Sequence, residues 1–507
     1  MGTLLYVIIL LAFVYVLRKY LLHLKLPPSP WGLPLLGHLH HLAGIPFLSL
    51  HALSKQYGPI LFMKLGTVPA VVISSSVLAK EVLRSQDQMF ASRPYILVGD
   101  YGLYHFQGIG PVPYNDHWKM MRKLCATELF TPKRIDSFLP IRLEEITGMF
   151  SALRGAGAHK AVDMRNMLSI FTFNVMTRIL MNKRFFEYGE DEEHIDGEAK
   201  QFKDIVFETA DQGLQFHISE FIPHWLRWID WKVPELKRLH AKKDKFLQNI
   251  LDQHKDMAST KEHKDFMDIM LQNLEHRGAA REDFIKAVVL ELTIAGTDTS
   301  ACIVEWTLLE LLHNPRVLSK LKEELDAMVG SSSHMVEEPD FQNLDYLNAV
   351  IKEAFRLHPP LPLLIPHMST QTCTIAGFHV PKNAFSFVNE YPYRKKAGVW
   401  EKADEFWPER FLGKSVDVRG QDFELLPFGS GRRACAGMQL GLKTVQLLVS
   451  NLVHAFDWSF VPGKPSEDYL LQERHGTVNW IKTPLQSDVN WVLVVPNILQ
   501  CYFKTPK

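Results

Sequence analysis

The chain has 507 residues, 47% hydrophobic and 22% charged, which is ample apolar material for a large core. Its 56 Lys+Arg and 56 Asp+Glu cancel, which argues against the basic balance or stripe of a nucleic-acid-binding protein. Cys125, Cys302, Cys373, Cys435 and Cys501 are scattered, odd in number and free of any CxxC pair. That pattern is neither a disulfide framework nor a zinc site, and it suits a body facing a reducing compartment.

The N-terminal run from Leu4 to Leu17 carries no charge, and Arg18 and Lys19 follow it. It is short for a span of about 20 residues, but snorkelling basic side chains extend it. The positive charge lies after the apolar run and no small-residue cleavage site follows, so residues 1–25 read as a retained signal anchor. Positive-inside logic puts the rest in the cytosol. Residues 26–39 contain Pro27, Pro28, Pro30 and Pro34, which stop a helix and predict a stiff, extended hinge. No linker, internal repeat or low-complexity tract divides residues 40–507, which read as one domain.

Within that domain, Ile60 to Ser75 predicts two strands around a Gly-Thr turn. A largely helical stretch follows, in which Glu187 to Lys200 is an acidic, solvated edge. Three amphipathic helices come next, around Glu282–His313, after Pro315, and before Pro359-Pro360. Strand-like pieces and Pro-rich loops lead to a glycine-rich stretch and a last helix, Gln439 to Phe456. "NWVLVVP" near the end reads as a strand. The expected fold class is mainly α with small β-sheets.

Two stretches break these patterns. The apolar helix over Glu282–His313 has a polar centre at Gly296, Thr297, Asp298, Thr299 and Ser300, although glycine costs roughly 1 kcal/mol against alanine there. A buried acid and hydroxyls each need partners. The second is "PFGSGRRACAG", Pro427 to Gly437, where glycines allow close backbone approach to a flat group. Arg432 and Arg433 sit beside Cys435, and backbone N–H groups and a helix N-terminus nearby would both favour a thiolate. A lone cysteine at a glycine turn is ordinarily structural; the full F-x-x-G-x-R-x-C-x-G pattern is far rarer.

On these residues the chain resembles the cytochrome P-450 superfamily, of the plant microsomal type, over essentially everything after the anchor. The resemblance implies that Cys435 is the axial thiolate ligand of haem b. By the same likeness Phe428 packs near the sulfur and Arg433 meets a haem propionate. Trp118 and Arg122 of "HWKMMRK" match W-x-x-x-R and imply two donors for one propionate; His367 stands where many relatives have an arginine for the same contact. Glu353, Arg356 and Arg410 match a structural charge network behind the haem loop. Gly296, Asp298 and Thr299 match the distal centre, where glycine admits oxygen and substrate, and the acid and hydroxyl manage protons. The segment from Val388 to Trp400 departs from the plant pattern, with Lys396 for an acid and Ala397 for a proline.

The resemblance implies an NADPH- and O2-dependent monooxygenase in the endoplasmic reticulum membrane, single-pass, with its catalytic domain in the cytosol. The implied partners are NADPH-cytochrome P-450 reductase, membrane lipid and a small hydrophobic substrate, with Lys119, Lys123 and Arg432 as a candidate donor face. The candidate lining is Asp100 to Tyr114, Val288, Leu292, Ala295, Leu361 to Leu364 and His475 to Leu485, all poor in charge. With no obvious anchor for an acidic substrate, a terpenoid is the expectation and a phenylpropanoid or flavonoid the alternative. An oxygen-independent isomerase or dehydratase is disfavoured by the intact acid–alcohol pair. A haem carrier without turnover is disfavoured by retention of both haem faces.

Overall fold

The computed structural model describes residues 26–491 apart from 156–160, 190–196, 214–216, 258–263, 276, 277, 279, 331–333, 462–471, 475 and 477, and a few positions between Tyr6 and Val16. The expected anchor thus lies mostly outside the described residues, as do Cys501 and the part of the terminal strand beyond Trp491.

The principal helices are α1 (Pro46–Tyr57), α2 (Asp116–Glu128), α3 (Leu139–Gly155), α4 (Met164–Met181), α5 (Gly197–Gln212) and α6 (Val233–Met257). They continue with α7 (Phe266–Asn273), α8 (Ala280–His313), α9 (Pro315–Val329), α10 (Asp345–Leu357) and α11 (Met438–Ala455). Side-chain caps start several of them: Asn115 accepts the Trp118 N–H and Asp163 that of Asn166. Asn314-Pro315 separates α8 from α9, and Gly330 at φ 75° ends α9.

Strands β1 (Ile60–Leu65), β2 (Val68–Ile73), β3 (His367–Met368) and β4 (Phe385–Val388) form one sheet in the order β1-β2-β4-β3. β1 and β2 pair antiparallel, β2 runs parallel to β4 with Ala70 opposite Phe385, and β3 is antiparallel to β4 with His367 opposite Ser386. The Pro-rich connector lies along β1: Phe62 N–H donates to Pro28 O at 2.8 Å and His38 N–H to Lys64 O at 2.7 Å. It is a bonded arm of the sheet, because prolines lose a donor but leave their carbonyls available as acceptors.

α8 runs through the core. It is long and apolar enough to cross a membrane, yet most of it is buried against other helices, chiefly α4 and α11. A helix apolar all round is stable only when enclosed in this way. Trp306, fully buried near its C-terminal end, stacks on His358 at 3.8 Å and donates its indole N–H to Asn479 O at 2.7 Å.

Candidate active site

The loop from Pro427 to Gly437 delivers Cys435 to the start of α11. The Cys435 N–H donates to Phe428 O at 2.9 Å, and Ser430 Oγ donates to Gly420 O at 2.7 Å. Gly431 sits at φ 71°, and a Cβ there would strike the Leu83 carbonyl oxygen, so this turn requires glycine. Phe428 packs edge-on against Phe355 of α10 at 5.2 Å.

Cys435 lies deep in the fold but its side chain is open to an interior cleft. Burial pushes its thiol up, while the Gly437 N–H and the Arg122 guanidinium pull it down. The nearby cation is therefore not the one the sequence suggested. Arg432 is exposed and bonds Asp87 at 3.1 Å, while Arg433 points to Ala91 and Val112. Arg122 reaches across from α2 and donates to Ala434 O at 2.8 Å.

Four basic side chains gather here. Arg433 donates from Nε to Ala91 O at 2.5 Å and from Nη2 to Val112 O at 2.6 Å; its Nη1 is buried without a partner. Its guanidinium lies 4.1 Å from the Trp118 ring centre. Arg93 donates to Ile365 O and Pro366 O at 2.6 and 2.9 Å, and its Nε is also orphaned. Burial, with the facing Arg433, lowers Arg93 to about 9; burial, with Arg122, lowers Arg433 to about 10. His367 is buried with Nδ1 2.8 Å from Phe90 O, and burial followed by the charge of Arg93 holds it well below its usual range.

Trp118 and Arg122 do not converge as expected. The Trp118 indole N–H donates to Ile109 O at 3.0 Å, since a buried donor takes the nearest acceptor. Arg93 escapes sequence reading: a single arginine before a proline has no distinguishing pattern.

On α8, Ala295 is exposed and Ile294, Gly296 and Thr299 are half-buried in the middle of a mostly buried helix. A Cβ at Gly441 of α11 would lie 3.9 Å from Ser300 Oγ and 4.0 Å from Phe428, so α11 joins the α8 centre to the cysteine loop. The hydroxyls of Thr293, Thr297 and Thr299 donate to carbonyls four residues back, at 2.8, 2.7 and 2.7 Å. This back-bonding is how the polar centre is satisfied. Gly296 differs from expectation. A Cβ there would come 2.5 Å from Met176 Sδ of α4, so its first role is to admit a close helix contact.

Asp298 is buried with Oδ1 unpartnered, and burial pushes its carboxyl up to about 7 against the pull of Arg165. Arg165 is itself tied to Glu305 Oε2 at 3.0 Å and Ile481 O at 2.6 Å.

Behind the loop, Glu353 accepts Arg356 Nε and Nη2 at 2.7 and 2.9 Å, Arg410 Nε at 3.0 Å and the Trp407 N–H at 2.8 Å. Arg356 also donates to Arg394 O and Ala403 O at 2.6 and 2.7 Å. All three charged groups are buried and satisfied, as a buried ion network requires. The unusual segment from Val388 to Trp400 supplies one of those carbonyls. Its Arg394 is buried and bonds Glu473 at 2.8 Å, whereas Lys396 and Ala397 are exposed. A cavity of about 640 Å³ lined by Glu310, His358, Tyr391 and Glu473 contains none of these site residues.

The Cys435 sulfur is accessible, α11 links its loop to the partly exposed centre of α8, and Arg93, Arg122 and Arg433 make no ion pair among the described residues. A dianionic, planar, iron-bearing group fits this donor set: thiolate for the metal, guanidinium N–H groups for two carboxylates. The arrangement defines a mostly helical haem-thiolate fold. Residues 27–485 match the cytochrome P450 family model, and the chain belongs to that family, whose members are monooxygenases using haem b with an axial cysteine thiolate. It is 38% identical to a flavonoid 3'-monooxygenase of Petunia hybrida over 464 residues, covering 89% of this chain and 90% of that one. It is 36% identical to a flavonoid 3'-monooxygenase of Arabidopsis thaliana, covering 96% of each. A zebra fish cytochrome P450 determined with progesterone superposes with TM-score 0.74 at 26% identity, covering 88% of this chain and 99% of that one.

Proposed function

We propose that this enzyme hydroxylates a small, neutral phenolic of the flavonoid type. The carrying observation is its similarity, over nearly its whole length, to monooxygenases named for that class. These relatives favour the phenolic alternative over the terpenoid expectation. The absence of a charged anchor, which suggested a terpenoid, suits a neutral flavonoid equally well.

In this reading Cys435 holds the iron, and Arg93, Arg122, Arg433 and His367 hold the carboxylates of haem b. Bound there, the thiolate-ligated haem supplies oxygen activation. Glu353, Arg356 and Arg410 fix the backbone behind the cysteine loop, and Phe428 O holds the Cys435 amide. Asp298, raised by burial to about 7 and with Oδ1 unpartnered, is a group able to exchange protons, and the half-buried Thr299 hydroxyl, next in sequence, puts a second polar group on the same stretch of α8. Gly296 keeps α4 and α8 close, which sets the height of that strip.

Residues 1–25 anchor the protein in the endoplasmic reticulum membrane in a single pass, residues 26–39 link it, and residues 40–507 form the cytosolic catalytic domain. Support comes from Trp225, Trp228 and Trp231, exposed at 72%, 79% and 70%, and from Trp31 at 70% in the connector. Such side chains favour a lipid interface. NADPH-cytochrome P-450 reductase is the electron donor. Lys119, Lys123 and Arg432 are all exposed for it, Lys119 paired with Asp116 at 2.9 Å and Arg432 with Asp87 at 3.1 Å.

The test is turnover in microsomes with reductase and NADPH, using flavonoid and terpenoid panels. Hydroxylated flavonoid is expected; oxidation of terpenoids alone overturns the substrate reading. Product formed without NADPH or oxygen overturns the monooxygenase reading.

A further inference from the structure

Glu291 lies one helical turn before Ala295 on α8 and is buried. Its Oε2 accepts the backbone N–H groups of Ile109 at 2.5 Å and Gly110 at 3.1 Å. A Cβ at Gly108 would collide with both carboxyl oxygens, so only glycine lets the loop lie this close. The other oxygen, Oε1, is buried without a partner.

The gripped loop is under backbone strain. Tyr104, His105 and Phe106 are consecutive non-glycine residues at φ 49°, 55° and 62°. Left-handed backbone costs free energy at each, so such a run persists only where surrounding contacts hold it. The strained residues are held by the turn before them, where His105 N–H donates to Asp100 O at 3.1 Å and Phe106 N–H to Gly99 O at 3.0 Å, and the rest of the loop is held from three directions. Trp118 Nε1 holds Ile109 O at 3.0 Å, Arg433 Nη2 holds Val112 O at 2.6 Å, and Glu291 holds the intervening amides. Arg433 also belongs to the candidate haem site, and Glu291 belongs to α8.

We propose that Glu291 is a positioning residue that latches the loop from Tyr104 to Tyr114 onto α8 and thereby governs retention of substrate in the cleft. This rests on reading that loop as part of the substrate lining.

The latch has a pH signature. Burial pushes Glu291 up to about 7, opposed by the two amides and by Arg433. In an opened loop the carboxyl meets water and titrates in its ordinary range, so opening releases a proton. Rising pH therefore favours opening until the carboxyl is ionised in both states: the latch is tightest below the ordinary carboxyl range and weakens as pH rises through about 7. Cys125 of α2 feels the same carboxyl, the His117 imidazole lies 3.0 Å from Gln107 O of the loop, and Tyr114 packs on Trp118.

Hydrogen exchange on the haem-loaded protein, corrected for intrinsic rates, tests this at about pH 6 and about pH 8. In wild type, amides of the loop should be better protected at the lower pH. Glu291→Ala and Gly108→Ala should each lower protection by about tenfold, the scale of one or two lost buried hydrogen bonds. Glu291→Gln, a neutral acceptor, should retain protection and lose the pH dependence. Unchanged protection in Glu291→Ala, or unchanged pH dependence in Glu291→Gln, overturns the latch. Should the alanine variant fail to load haem, the glutamine variant decides. Spectral titration with the flavanone naringenin should show about tenfold weaker binding in Glu291→Ala than in wild type. No shift in wild type overturns the flavonoid reading, while exchange still decides the latch.

Discussion

The two walls of the cleft are built on opposite electrostatic plans. In the network behind Cys435, every polar group is hydrogen-bonded: Glu353 receives two guanidiniums and a backbone amide, and the arginines spend their other donors on carbonyls. Along α8, Glu291 and Asp298 are buried with incomplete partners and poised at about 7. A ligand that sets the character of a metal must not move, so its support is satisfied. A group that carries protons must exist in two states, so its environment leaves both within reach.

The largest effect expected from breaking this contrast is at Cys435. Cys435→Ala should abolish turnover and the red-shifted Soret band of the reduced carbonyl complex, which reports thiolate ligation. Next, Glu353→Leu strands two buried guanidiniums. It should cost about 3–5 kcal/mol and prevent stable haem loading, read by thermal unfolding and haem content. On the opposite wall, Asp298→Asn should leave substrate binding intact and lower turnover by about 100-fold, with a flattened pH–rate profile near neutrality. Equal losses of stability in these last two variants would break the distinction between the walls.

Stability should also depend on pH in a direction set by α8. Glu291, Asp298 and Glu305 are all raised to about 7 by burial. The folded chain thus holds protons that the unfolded chain has lost. Their contribution is complete below the ordinary carboxyl range and disappears as pH rises through about 7. Unfolding temperatures of the haem-loaded protein should fall across that window, and less steeply in Asp298→Asn. The smallest effect is at Gly296→Ala. The new methyl meets flexible Met176, so about 1–3 kcal/mol of stability should be lost with the haem spectrum retained.

Much of this is legible in local sequence. The helix expected over Glu282–His313 lies within two residues of its observed start, because a mostly apolar run and the proline that follows it are local signals. The E-x-x-R pair is legible because residues three apart share a helix face. The direction of the basic side chains is not. Arg122, not Arg432 or Arg433, is the cation set against Cys435, and Trp118 gives its N–H to Ile109. Neither choice can be read from spacing, since each depends on which carbonyl a distant loop presents.

The residues themselves thus determined the kind of chemistry: a cysteine in a glycine turn, an acid and hydroxyls inside an apolar helix, and a compensated charge pair. Glycine, proline and charge act on the backbone within a few positions, so their meaning survives in the linear text. Only the tertiary structure decided that Glu291 grips a loop some 180 positions away, that Arg93 joins Arg433, and that Gly296 first serves Met176. Burial creates those relations, by removing water as an alternative partner and forcing each polar group onto whatever the fold brings near.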